Sequence, residues 1–190
     1  TVPDYRRDLA LSHNSLGGLL AGLGKRPEAE GESRKALAIQ EKLAADFPTV
    51  PGHRVELGGS YCNLGLLVLK EGQASESLDW FDKAIATLTP VHRAEPRDVT
   101  ARQFLRNSHA NRAIAYDRLQ KHADAVKDWD RAIELSPPAE QAGLRASRAT
   151  SRLQAGQVAE AVAEVAELVC ERTRARLERA RARPDSAPTP

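Results

Sequence analysis

The sequence matches itself when it is displaced by 48 residues, and this internal repeat constrains the fold more than any other feature. Leucines and alanines recur at this displacement, at Leu9, Leu57 and Leu105 and at Ala36, Ala84 and Ala132. A fourth unit follows at a shorter displacement of 36, where Ala125 corresponds to Ala161. Because repeats with periods of about 20 to 50 residues build stacked arrays, we expect a modular chain in which each unit packs on its neighbours.

Within each unit the apolar residues have the spacing of helices. In the first unit a helix is predicted over residues 4–23, Gly24 ends it, and a second helix covers 27–46. Pro90 lies late in the second helix of the second unit, so that helix is predicted to end or kink near Leu88. No stretch alternates with a period of two, and we therefore predict an all-α fold.

The composition excludes several classes of protein. Hydrophobic residues make up 41% of the chain, which is enough for a core, and the net charge of +2 indicates neither nucleic acid nor an anionic membrane as partner. Two cysteines, Cys62 and Cys170, cannot form a disulfide framework, which favours a cytoplasmic location. The longest apolar run, residues 64–69, is far shorter than the roughly 20 residues of a membrane span.

A pattern of large and small residues recurs in the second and third units. In the second unit Tyr61 is followed by Leu64-Gly65 and then by Ser77 and Phe81. This pattern resembles the tetratricopeptide repeat (TPR), although two units here take 48 residues and the usual repeat takes about 34. The chain resembles the long-helix repeats of kinesin light chains and of bacterial signalling arrays, some of which are attached to serine/threonine kinase domains. The resemblance implies an α-solenoid of about four antiparallel helix pairs that forms a right-handed superhelix.

The repeat also suggests how the chain is organised. Thr49-Val50-Pro51 repeats Thr1-Val2-Pro3, which predicts that the sequence is a segment of a larger, bacterial multidomain protein. A kinase domain is one alternative for the rest of that protein. The predicted divisions are four units at about 4–48, 52–96, 97–137 and 138–170, and a basic helical extension with a disordered tail over 171–190.

Two positions of the repeat hold a small residue in every unit. The first holds Gly17, Gly65, Ala113 and Ala149, and the second holds Ala29, Ser77, Ala125 and Ala161. Small side chains allow paired helices to approach closely, so we expect the two helices of each unit to cross at these positions.

No set of residues predicts catalysis, a cofactor or a metal site, so we expect a non-enzymatic protein. The glycine-rich segment 17–25 lacks the spacing of a phosphate-binding loop. His13 and His109 share a repeat position with Tyr61, which predicts a packing role for both. A helical row of carboxylates is predicted to face solvent, at Glu160, Glu164, Glu167 and Glu171.

The family resemblance places a binding groove on the concave face, which the first helix of each unit lines. The implied groove residues are Leu11, Asn14, Ser15 and Gly18, then Gly59, Cys62, Asn63 and Leu66, and then Asn107, Ala110, Asn111 and Ile114. A row of amides can hydrogen-bond the backbone of an extended peptide, whereas the alternative is that these amides join neighbouring helices or face water. Chaperone-binding TPRs clamp a carboxylate with cations, which Asn14, Asn107 and Asn111 replace here. A peptide or helix is therefore favoured over a strongly acidic ligand.

Three functions follow from these observations. The leading hypothesis is a protein–protein interaction scaffold whose partner is a protein or peptide. The second is a structural spacer or a module that self-associates through its end repeats. The third is a weak contact with nucleic acid or an acidic partner through the six arginines of residues 171–190, although no aromatic residue there can stack on bases.

Overall fold

The computed structural model describes residues 3–181, with side chains up to residue 179, and every element in this range is helical. A short 3-10 turn, Pro138–Glu140, precedes the seventh helix. The α-helices are α1 (Pro3–Gly22), α2 (Arg26–Asp46), α3 (Pro51–Lys70), α4 (Ala74–Ala94), α5 (Val99–Arg118), α6 (His122–Glu134), α7 (Gln141–Gln154) and α8 (Val158–Arg181). The predicted all-α fold is confirmed, and the basic extension is helical as far as Arg181. The predicted disordered tail lies outside the described residues.

The helices pack in chain order and form an α-solenoid of four antiparallel pairs. Each helix contacts the one before and the one after it, from α1 to α8. The first helices α3 and α5 also contact each other, whereas no pair of second helices has a comparable contact within residues 3–181. We call the side of the stack on which α3 and α5 meet its inner side.

A turn with left-handed backbone joins the two helices of each unit. Gly24, Gly72 and Gly156 have φ values of +74°, +87° and +81°, a region that side chains disfavour. In the third unit Gln120 takes this position with φ 59°. The backbone N–H of Lys25 donates to the Leu20 carbonyl, which closes the turn of the first unit.

The two small positions of the repeat are buried in all four units. A Cβ on Gly65 would come within 2.7 Å of the Phe81 ring, and a Cβ on Gly17 would come within 3.1 Å of the Ala29 carbonyl oxygen. The paired helices thus approach each other most closely where the sequence places small residues. The core around these points includes Leu64, Phe81 and Leu88, all fully buried.

Helix α4 does not end near Leu88, so that part of the sequence prediction is wrong. The helix continues through Pro90 to Ala94. Leu88, two residues before the proline, and Val91, directly after it, are both buried. The Thr89 hydroxyl donates to the Ile85 carbonyl at 2.6 Å, and Pro90 itself lies on the exposed side. Burial of the apolar residues on both sides outweighs the backbone hydrogen bond that proline cannot make.

Candidate peptide-binding groove

A cavity of about 380 Å³ opens on the inner side of the stack between α1, α2 and α3. Four of the predicted groove residues line it, and Arg26 and Lys70 are the two ionisable residues in the lining. The complete lining is Asn14, Gly17, Gly18, Ala21, Gly22, Arg26, Ser33, Asn63, Leu66, Leu67 and Lys70. A concave site with an apolar floor and a few polar groups is the usual form of a ligand pocket.

Two glycines on α1 keep this cavity open. Gly18 and Gly22 are one helical turn apart, and a Cβ added to either would have no described heavy atom within 4 Å outside its immediate backbone. Gly17, between them and the second helix, is packed against Ser33. The volume of the cavity therefore depends on the missing side chains at Gly18 and Gly22.

The predicted amide row divides into two kinds of residue. Asn14 donates to the Ser60 hydroxyl at 2.7 Å, so this amide joins α1 to α3. Asn111 lies with its amide nitrogen 3.9 Å from the Cys62 sulfur, which is a weak contact. Asn63 is exposed beside the cavity and makes no hydrogen bond to another described residue. Asn63 is therefore the amide in this row with the most hydrogen-bonding groups left for a ligand.

The other predicted groove residues differ in exposure. Gly59 is covered, since a Cβ there would be 2.8 Å from the Phe104 ring, and Cys62 is 3% exposed. Burial raises the pKa of the Cys62 thiol even though Ser108 and Asn111 hydrogen-bond to it, which makes this thiol a poor nucleophile. Burial removes these two positions from the surface that a ligand can contact. The remaining residues are exposed or half-buried, namely Leu11, Ser15, Leu66, Asn107, Ala110 and Ile114.

Seven residues of the cavity lining were not among the predicted groove residues, and three of the seven are exposed: Gly22, Arg26 and Lys70. Gly22 and Lys70 share one repeat position, one turn beyond the predicted residues Gly18 and Leu66. Extending the predicted stripe by a turn would have found both. Arg26 begins the second helix, and no feature of the repeat indicates that its side chain reaches the inner face.

Away from the cavity, an arginine on the first helix of a unit is held between carboxylates of two units. Arg112 contacts Asp128 of its own unit at 2.7 Å and Asp82 of the preceding unit. His109 also contacts Asp128, at 2.7 Å. Burial of Asp128 favours its neutral form, but hydrogen bonds from Arg112 and His109 outweigh this effect and lower the pKa of the carboxyl group. The same carboxylates raise the pKa of Arg112 against the opposing effect of its burial.

The fourth unit repeats this arrangement, which contradicts one sequence prediction. Arg148 bonds Glu164 of its own unit and Asp130 of the preceding one, and Arg152 also contacts Glu164, at 3.0 Å. Glu164 is 4% exposed, so the prediction that it faces solvent is wrong. Its neighbours Glu167 and Glu171 are exposed and pair with Arg145.

The part of the chain that the structure describes contains neither a candidate metal site nor a candidate membrane-spanning helix. No cluster of three or more His, Cys, Asp or Glu residues within this part has the arrangement of a metal site. None of the helices described here is long and apolar enough to cross a bilayer. The arginines of α8 that the structure describes are exposed, at positions 172, 174, 176 and 179.

Comparisons with known proteins identify the fold. No protein-family model matches the sequence, and a search of curated proteins likewise finds no match. Among solved structures, BtubC (BKLC) from P. vanneervenii is similar over the whole chain and 69% of its own length, with a TM-score of 0.70 and 17% identity. The TPR-like repeats of a kinesin light chain from Podospora anserina match 96% of this chain and 80% of theirs, with a TM-score of 0.69 and 19% identity.

A third similar structure is the apo form of RapI. It matches 85% of this chain with a TM-score of 0.69 and 12% identity, and the matched region covers 42% of RapI. At these identities the similarity concerns the fold, and it confirms the resemblance read from the sequence. The chain has the fold of the tetratricopeptide repeat proteins, a solenoid of stacked helical hairpins.

Proposed function

We propose that this chain is a protein–protein interaction module that binds a peptide or a short helix along its inner face. The cavity between α1, α2 and α3 is the observation that carries the proposal, because it is a concave site lined by both apolar and polar side chains. A pre-formed site lowers the ordering cost of binding. The proposal is one of binding and not of catalysis, since the lining of this cavity contains no histidine, cysteine or carboxylate.

The lining of the cavity suggests what it binds. Leu66, Leu67 and Ala21 provide apolar surface, while Asn63 provides both hydrogen-bond donors and an acceptor. A volume of about 380 Å³ is near the lower end of the usual ligand pockets, about 300 to 1,000 Å³, which suits one or two anchoring side chains. We propose that the partner inserts an apolar side chain here and that Asn63 hydrogen-bonds its backbone.

Glycine substitutions test this proposal without damage to the fold. Gly18→Leu and Gly22→Leu place a side chain in the cavity, and leucine favours a helix over glycine by about 0.5–1 kcal/mol. Gly31→Leu is the matched control, because Gly31 is also helical and also has open space but lies outside the cavity lining. All three variants are expected to be at least as stable as the parent chain.

The probe is a peptide selected from a displayed random library against the parent chain. We expect Gly18→Leu and Gly22→Leu to weaken binding of that peptide by at least about tenfold, the loss of one good contact of about 1.4 kcal/mol. Gly31→Leu should leave its affinity unchanged. If the library yields no binder, or if the cavity variants bind as tightly as the control, the proposal is overturned.

The setting of this activity is also a proposal. Cys62 and Cys170 are both free thiols, which supports a reducing, cytoplasmic location. We propose that the chain serves as a scaffold within a larger bacterial protein, with the partner held by the inner face and the outer helices left free for other contacts.

A further inference from the structure

The cavity between α1, α2 and α3 is lined by two cations and by no carboxylate. Arg26 is the first residue of α2, Lys70 is the last residue of α3, and both are exposed. Neither side chain has a carboxylate oxygen within 4.0 Å among the residues that the structure describes. Two like charges that face one cavity repel each other, and an anion bound between them relieves that repulsion.

The charge of Arg26 is not explained by the helix that carries it. The N-terminal end of a helix is partially positive and disfavours a cation, whereas Lys70 lies at a C-terminal end, which favours one. In the second and third units the residues that correspond to Arg26 are Ala74, which is buried, and His122, which contacts Asp117 at 2.9 Å. Arg26 therefore differs from its equivalents in being a cation without a partner in the described part of the chain.

The inner face around the cavity is also free of acidic residues. The predicted groove residues of α1, α3 and α5, together with Gly22, Lys70 and Arg118 one turn further along, contain no aspartate or glutamate, although the chain has 26. Arg118 is engaged, because its guanidinium donates to the Leu69 carbonyl. A surface with cations and no carboxylates is complementary in charge to an anionic group of a partner.

We propose that the segment bound in this cavity carries an aspartate or glutamate beside its apolar anchor, and that Arg26 and Lys70 bind this carboxylate. The inference rests on the proposed function and adds the charge of the partner to it. A guanidinium can donate to both carboxylate oxygens, and an ammonium adds a second charge from the other wall of the cavity. The apolar anchor contacts Leu66 and Leu67, which lie in the same lining.

The carboxylate belongs to a side chain of the partner and not to its C-terminus. Helix α5 packs on α3 and continues the inner face beyond the cavity, so the bound segment has surface to follow past its anchor. A single acidic side chain also agrees with the sequence-based expectation that the ligand is not strongly acidic.

The peptide side of the contact is tested first. The probe is the peptide selected from the displayed library, synthesised with an amidated C-terminus so that every carboxylate is on a side chain. We expect the selected peptides to share an acidic residue at a fixed distance from an apolar one. Replacing that residue with its amide should weaken binding at least about tenfold in calorimetry at low salt. Added NaCl should weaken the acidic peptide more than its amide.

The protein side is tested by removing one charge at a time. Arg26→Gln and Lys70→Gln are each expected to weaken the acidic peptide by about threefold to tenfold. The amide peptide should lose less than about twofold, because the contact is already absent from it. Lys42→Gln is the matched control, since Lys42 is an exposed lysine of α2 outside the cavity lining. Circular dichroism establishes that each variant retains the parent helix content.

The proposed function and this inference fail in different ways. If the library yields no binder, or if Gly18→Leu binds the peptide as tightly as Gly31→Leu, both are overturned. If Gly18→Leu weakens binding but the selected peptides share no acidic residue, only the carboxylate contact is overturned. The same conclusion follows if Arg26→Gln and Lys70→Gln bind the acidic peptide as tightly as Lys42→Gln, or if binding requires a free C-terminal carboxylate.

Discussion

Gln40 of α2 is the buried residue whose replacement gives the sharpest test of the packing. It is 1% exposed, and neither its amide nitrogen nor its amide oxygen has a hydrogen-bond partner among the residues that the structure describes. A buried polar group without a partner costs about 1–3 kcal/mol. Methionine has a similar length, is also unbranched and has no such requirement. We expect Gln40→Met to raise the free energy of unfolding by about 1–3 kcal/mol.

The repeat register explains why unit one does not simply carry leucine here. Leu88 occupies the position of Gln40 in unit two, and it packs against Gly58, where a Cβ would lie 2.4 Å from the Leu88 Cγ atom. The residue that corresponds to Gly58 in unit one is Ala10, which is fully buried. Gln40→Leu should therefore raise the free energy of unfolding by less than Gln40→Met does. The double variant Gln40→Leu/Ala10→Gly should raise it by as much as Gln40→Met.

Urea denaturation followed by circular dichroism measures these changes through the transition midpoint at constant slope. Gln103→Met, at an exposed glutamine of α5, is the control and should change stability by less than about 0.5 kcal/mol. If Gln40→Met is no more stable than Gln103→Met, then the amide is satisfied in solution and the reasoning is refuted.

Three further changes have defined outcomes. Gln120→Gly should raise the free energy of unfolding by about 0.5–1 kcal/mol, because glycine relieves the left-handed φ of 59°; a lower melting temperature would contradict this. Ala125→Trp should lower it by about 1–3 kcal/mol through overpacking between α5 and α6, and an unchanged melting temperature would count against the close crossing. Asp128→Asn should cost about 3 kcal/mol at neutral pH, because it breaks a buried ion pair with Arg112. The pKa of Asp128 in the folded chain lies below its ordinary 3.8, so the stability that this carboxylate provides is present above pH 3.8 and is lost as the pH falls further. The difference in free energy of unfolding between the parent chain and Asp128→Asn should therefore shrink at low pH. A difference that stayed constant from pH 7 to pH 3 would contradict the assignment.

The helical architecture could be predicted from the sequence because it repeats. A leucine or glycine that recurs at a fixed displacement has the same neighbours in every unit, so the turn at Gly24 and the close contact at Gly65 follow from the pattern. Pro90 shows where local preference fails. The proline disfavours a helix, but the burial of Leu88 and Val91 depends on the neighbouring helices, which local sequence does not describe.

The ion pairs between helices are indicated by the repeat pattern, although not by any single helix. Glu164 lies in a row of carboxylates on one helix, and viewed alone that row is typical of a solvated face. The 36-residue displacement aligns Arg112 with Arg148 and Asp128 with Glu164, and a pair that recurs together indicates a contact between helices. Comparing pairs between units would have predicted it.

The cavity could be predicted only in part. Its polar residue Asn63 and its neighbour Leu66 lie at repeat positions that the family resemblance identifies. The empty space itself exists because Gly18 and Gly22, which have no side chains, face the adjacent unit. Arg26 joins the lining from the start of α2, and Lys70 joins it from the end of α3. Such a site is a product of three helices meeting, and no single repeat contains it.

An NMR titration of the isotope-labelled chain with the library-selected peptide tests directly whether binding takes place on the inner face. We expect the backbone amide signals of Gly18 and Gly22 and the side-chain amide signals of Asn63 to shift, while those of Gly31 and Gly143 stay in place. If instead Gly31 or Gly143 shifts and the three cavity residues do not, the inner face is not the binding surface.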